Sequence, residues 1–130
     1  MKYTPENITH LKPNQIFCFG SNQAGIHGAG AARLALQKFG ARYGKTGFVG
    51  QSYGISTKDK NIKTLPLSEI KKEIEQFVDF AKCNPQLEFL MTQIGCGLAS
   101  FQPKYIAPLF RGLELSSNII FPECFEPYLT

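Results

Sequence analysis

No apolar run in this chain approaches the roughly 18 residues that a membrane-spanning helix needs, so no membrane partner is expected. The N-terminal stretch from Met1 to Asn7 lacks the apolar core of an export signal, which makes the cytoplasm the expected location. Cysteine is sparse. Cys18, Cys83, Cys96 and Cys124 lie far apart with no C-x-x-C pair, so neither a zinc site nor a disulfide framework is expected, and no metal or cofactor is anticipated. Internal repeats and low-complexity linkers are absent too. Charge of one sign is only mildly in excess, at +4 over 130 residues, and it is scattered. That suits an anionic ligand or a weak nucleic-acid contact without deciding between them.

With 43% hydrophobic and 18% charged residues, the chain has the make-up of one globular domain over residues 1–130. Strand and helix signals alternate along it. Gln15 to Phe19 is a short continuous apolar run ended by Gly20, as for a strand buried on both faces. From Ala29 to Phe39, Ala31, Ala32, Leu34, Ala35, Leu36 and Phe39 recur at helical spacing, and Gly40 offers a C-cap. The glycine-rich stretch from Gly40 to Gly54 predicts turns around one or two short extended pieces, the last running through Tyr53 to Thr57. An amphipathic helix follows, with Leu67, Ile70, Ile74, Phe77, Val78 and Ala81 on one stripe, and Asn84-Pro85 ends it. Leu87 to Ile94 predicts another strand. Pro103 and Pro108 then mark two short helical pieces, the second over Pro108–Leu113, before a last strand from Asn118 to Phe121. This alternation predicts an α/β fold with a mainly parallel sheet covered on both faces, in which ligands bind at the carboxyl ends of the strands.

Two glycine-rich turns fall at such ends. The first is Gly20-Ser21-Asn22-Gln23-Ala24-Gly25-Ile26-His27-Gly28-Ala29-Gly30-Ala31-Ala32 and the second is Ile94-Gly95-Cys96-Gly97-Leu98-Ala99. Glycine lets backbone N–H groups approach a ligand, and a helix opening on such a turn adds partial positive charge that attracts phosphate. The familiar nucleotide fingerprints fail nonetheless. There is no G-x-x-x-x-G-K-[ST], and the G-x-G-x-x-[G/A] template meets Arg33 where a small residue belongs.

Single residues admit ordinary readings as well. His27 either fills a turn or acts in catalysis. Cys96 is a small residue in a tight turn or a nucleophile at an anion site. Gly28 and Gly30 serve a ligand or merely close helix packing. Lys58 begins Lys58-Asp59-Lys60-Asn61-Ile62-Lys63, which alone is a solvated charge run. Tyr53 and Phe101 are stacking candidates for a base, with core packing the commoner role of an aromatic.

The order Asn22, His27, then Gly28 to Ala32 entering a helix resembles the first ligand loop of macro domains, the ADP-ribose-binding modules. Ile94-Gly95-Cys96-Gly97-Leu98 is similar to the turn of the branch that includes the terminal ADP-ribose-protein glycohydrolases, and Thr57-Lys58 matches its Thr-Lys pair. Asn7-Ile8-Thr9 is similar to the Asp-Ile-Thr opening of many macro domains. The resemblance implies a three-layer α/β/α fold with a mixed, mainly parallel sheet, and binding of ADP-ribose or a related NAD-derived nucleotide. It implies a ligand-binding set of Asn7, Ser21, Asn22, Gly25, His27, Gly28, Ala29, Gly30, Ala31, Thr57, Lys58, Gly95, Cys96, Gly97 and Leu98. Asn22 would face the distal ribose, His27 to Ala31 the diphosphate, and Gly95 to Leu98 would close over the phosphates. In the glycohydrolase branch the lysine attacks the ribose anomeric carbon and an aspartate after Gly-Leu acts as acid and base. Lys58 is present, but Ala99 takes the aspartate's place, and Asn7 replaces an aspartate that reads adenine. Enzyme activity therefore stays open, with Lys58 and His27 the catalytic candidates for an ADP-ribosyl-adduct hydrolase or phosphatase. ADP-ribosylated protein is a further implied partner. A nucleic-acid- or protein-binding module on the same fold is the alternative of another class.

Overall fold

The computed structural model describes residues 2–28, 30–96 and 101–130. Its elements run β1 (Gln15–Asn22), α1 (Gly30–Lys38), β2 (Gly47–Val49), β3 (Ser52–Lys58), α2 (Leu67–Lys82), β4 (Glu88–Met91), α3 (Pro103–Ile106) and β5 (Ile119–Ile120). One 3-10 helix spans Ala107–Phe110 and another Glu123–Tyr128. The strands form one sheet in the order β2-β3-β1-β4-β5. All neighbours are parallel except β2 and β3, so the sheet is mixed and mainly parallel.

Alternation along β1 sends its side chains into two cores. Ile16 and Cys18 join Tyr53, Ile55, Phe89 and Met91 beneath α2, whose Ile70, Ile74, Phe77, Val78 and Ala81 are all buried. Phe17 and Phe19 join Ala32, Ala35, Phe39, Leu90 and Ile120 on the α1 face. Helices thus cover opposite faces of the sheet, an arrangement compatible with a three-layer α/β fold. The small Ala32 and Ala35 bring α1 close to β1, and Phe17 and Phe39 meet with ring centroids 4.9 Å apart.

Three expected boundaries are corrected. β1 does not stop at Gly20 but continues to Asn22, because that glycine sits inside the ladder, where a Cβ would stand 3.3 Å from the Gly95 nitrogen and 3.5 Å from Thr57 Oγ1. β4 ends at Met91 rather than Ile94. Beyond it Thr92 turns its amide and hydroxyl onto the Cys18 carbonyl, at 3.1 and 2.7 Å, and leaves the ladder. The short helix expected over Pro108–Leu113 is instead a 3-10 turn that begins at Ala107 and follows directly on α3. Pro108, which lacks an N–H, falls in its first turn, where no donor is needed. Among the described residues, no helix is long and apolar enough to cross a membrane.

Candidate functional site

β1, β3 and β4 point their carboxyl ends at one cleft of about 520 Å³. Ser21 and Asn22 reach it from the end of β1, Thr57 and Lys58 from the end of β3, and Thr92, Gln93 and Ile94 from the exit of β4. Gly28, Gly30 and Ala31 contribute from the start of α1, and Gly95 from the second turn. The two glycine turns therefore meet across one hollow, at the edge where parallel α/β sheets carry ligands. Its volume falls in the range of small-molecule sites.

The glycines of this hollow divide by cause. At Gly28 and Gly30 a Cβ would meet nothing within 4 Å, so close helix packing explains neither. Both leave bare backbone facing open space, and Gly30 adds a left-handed φ of 60°. Gly95 is different. Its φ is 72° and a Cβ there would stand 2.9 Å from Ile106 Cδ1, so fold and turn both demand glycine.

Asn22 braces the first turn. Its Nδ2 donates to the Ile26 carbonyl at 2.7 Å, while its Oδ1 accepts the Ile26 amide at 3.0 Å. The side chain imitates a strand partner and shapes the loop that leads to α1. Ser21 is 4% exposed, and its Oγ lies buried beside Gly54 without a hydrogen-bond partner. Thr57 Oγ1 donates to the Ser21 carbonyl at 3.3 Å, beside the register shift that sets Asn22 opposite Lys58.

Lys58 is half-buried and, among the described residues lining the cleft, is the only charged one. Among those residues no Asp, Glu or His accompanies it. Among the described residues the arrangement presents one cation, the bare backbone of Gly28 and Gly30, and no competing carboxylate. It can hold an anion. Among the described residues it offers no group beside Lys58 that would shuttle protons at neutral pH.

Other expected residues lie elsewhere. His27 is 1% exposed and its ring packs behind the loop, 5.6 Å from Phe19 and 5.8 Å from Tyr43 between ring centroids. Neither ring nitrogen has a hydrogen-bond partner. Burial lowers its pKa below 6.5, against a weaker opposing influence of the Gly25 backbone. Gly25 is buried too and spends its backbone on the turn, donating to Asn22 O at 3.0 Å and accepting from Gly44 at 2.9 Å. Asn7 lines a separate hollow of about 300 Å³ with Tyr3, Ile8 and Gln15. Cys96 packs against the α2-side core and points its thiol at Ile94 O, 3.4 Å away. Burial first and Cys124 second push that thiol up to about 11, the reverse of an activated nucleophile. Tyr53 is core, with its ring 5.0 Å from that of Phe77. Phe101 is partly buried against the same core. Ala29, Gly97, Leu98 and Ala99 lie outside the described residues.

Sequence reasoning missed Ile26, Ile62, Thr92 and Gln93 as cleft residues. A polar Thr92-Gln93 pair closing an apolar run was a readable signal for the latter two. Nothing in the sequence marked the isoleucines. Among the described residues, no three or more His, Cys, Asp or Glu side chains come together as a metal ion requires. No protein-family model, curated protein or solved structure matches this chain.

Proposed function

We propose that this chain is a macro-domain-like module that binds ADP-ribose or a related NAD-derived nucleotide in the cleft at the carboxyl ends of β1, β3 and β4. The observation that carries the reading is the convergence of two glycine turns on a hollow whose described lining residues include no carboxylate and one charged group, Lys58. Bare backbone at Gly28 and Gly30, at the N-terminus of a nine-residue helix, suits a diphosphate. Calorimetric titration with ADP-ribose, NAD, AMP and inorganic phosphate tests it. Saturable binding of ADP-ribose, weaker for AMP and weakest for phosphate, with loss of affinity in Lys58→Ala, is the expected result. Failure of all four ligands to bind overturns it.

Binding ranks above turnover in this proposal. The lysine mechanism of the glycohydrolase branch needs a proton-moving partner, and among the described residues lining the cleft there is none. The wild-type protein is therefore expected to release ADP-ribose from a glutamyl-ADP-ribose adduct slowly or not at all, and Ala99→Asp to raise any such release. Efficient wild-type release abolished by Lys58→Ala would establish the hydrolase reading instead. Salt separates the nucleic-acid alternative: one lining cation predicts a slope of log K against log salt of about −1, whereas a nucleic-acid surface neutralising Z phosphates gives about −0.7 Z to −0.9 Z.

A further inference from the structure

Two isoleucines rim the cleft and face solvent. Ile26 is 48% exposed on the loop between β1 and α1, and Ile62 is 41% exposed on the loop that follows β3. The two loops leave neighbouring strand ends, where Asn22 stands in register with Lys58. Ile62 is also the one non-glycine residue among those described with positive φ, at 62°. For a β-branched side chain this is a disfavoured backbone conformation, which glycine or asparagine would adopt with less strain. The loop around it is built to hold that conformation. Asp59 Oδ1 accepts the amides of Asn61 and Lys63 at 2.8 and 3.0 Å, Asp59 O accepts the Ile62 amide at 3.1 Å, and the Asp59 amide donates to Lys63 O at 2.8 Å.

A strained backbone and an exposed apolar side chain both work against the free protein, and they coincide at the mouth of a cleft whose other features suit an anion. Strain of this kind clusters at ligand clamps. Resting on the nucleotide reading above, we infer that Ile26 and Ile62 form an apolar lip that covers a heteroaromatic ring of the bound nucleotide. Lys58 and the glycine turns hold the charged part of the ligand, and the isoleucines cover a ring face that carries no charge. The lip selects for the presence of a ring by contact area and reads none of its hydrogen-bonding edges.

NMR and calorimetric titrations of wild type, Ile62→Gly and Ile26→Ala with NAD, ADP-ribose, AMP and ribose 5-phosphate test this, with thermal unfolding in parallel. Ile62→Gly should leave Tm unchanged or raised, because it relieves a left-handed β-branched residue. It should nevertheless lower affinity for ring-bearing ligands about tenfold, while ribose 5-phosphate changes less than about twofold. Ile26→Ala keeps the backbone that Asn22 braces and sits on a different loop, so the same ligand pattern from it excludes a mere loosening of loop 59–63. A loss shared by AMP and ADP-ribose assigns the lip to adenine, and a loss confined to NAD assigns it to nicotinamide. Unchanged affinities in both variants, or an equal loss for ribose 5-phosphate, overturn the lip while leaving the nucleotide reading standing. A wild-type protein that binds none of the four ligands removes the reading and the lip together.

Discussion

Gly28 and Gly30 are two residues apart and predict different outcomes. Gly28 has an ordinary φ and open space where a Cβ would stand, so Gly28→Val should fold with stability within about 0.5 kcal/mol of wild type. Its isopropyl group would instead project into the cleft, and ADP-ribose affinity should fall by about 1–3 kcal/mol in calorimetry. Gly30→Ala meets the same open space but a φ of 60°, so urea unfolding should show a loss of about 1–2 kcal/mol. Ser21→Ala is the converse case. The hydroxyl is buried without a partner, so its removal should be neutral or slightly stabilising in urea unfolding and should leave ADP-ribose affinity unchanged. At this scale the glycine turns were readable from residue type, whereas Asn22, Thr57 and Lys58 stood out only through the resemblance to macro-domain motifs, and the structure sets them along the cleft. The unpartnered Ser21 hydroxyl, the turned-away His27 ring and the positive φ of Ile62 were not legible, since each depends on contacts beyond the local sequence.

At the scale of elements, the first turn works because Asn22 ties its two ends together. Asn22→Ala loses both bonds to Ile26 and should cost about 1–3 kcal/mol in denaturant unfolding, with faster amide exchange at Ile26. Asn22→Asp keeps an acceptor for the Ile26 amide but sets a carboxylate against the Ile26 carbonyl and brings negative charge to the cleft. Its ADP-ribose affinity should fall below that of Asn22→Ala, and parity between the two would show that the side chain matters only for the loop. The elements themselves were readable wherever one period dominated. The stripe on α2 and the apolar runs of β1 and β4 set their type and faces. Ends were harder, because Gly20 and Thr92 answer to neighbours distant in sequence: the Gly95 backbone in the second turn crowds one and the Cys18 carbonyl of β1 draws in the other. The 3-10 helix at Glu123–Tyr128 carries Pro127 inside it and shows no helical period to find.

For the whole molecule, the loop that forms the cleft rests on a ring that must stay neutral. His27 sits under the first turn between Phe19 and Tyr43, where burial opposes the imidazolium more strongly than the Gly25 backbone favours it. Its pKa in the folded protein lies below the ordinary 6.5, so between those two values the unfolded chain binds more protons than the folded one. The stability this neutral ring permits is fully present above about pH 6.5 and declines as pH falls through the window toward the folded value. Glu73 works in the opposite sense, because burial and Glu69 raise its carboxyl above 4.5 and favour the folded state on the acid side. A single pH scan therefore mixes the two. Comparison with His27→Phe separates them, since phenylalanine keeps an aromatic body between Phe19 and Tyr43 and cannot be protonated. Equilibrium unfolding of both proteins from pH 7.5 to 5.5 should show wild type losing stability relative to the variant as pH falls. ADP-ribose affinity should follow the same course, because the ring supports the residues that lead into Gly28. Parallel stability curves would mean that His27 finds a proton acceptor in solution, and that the loop does not depend on a neutral ring.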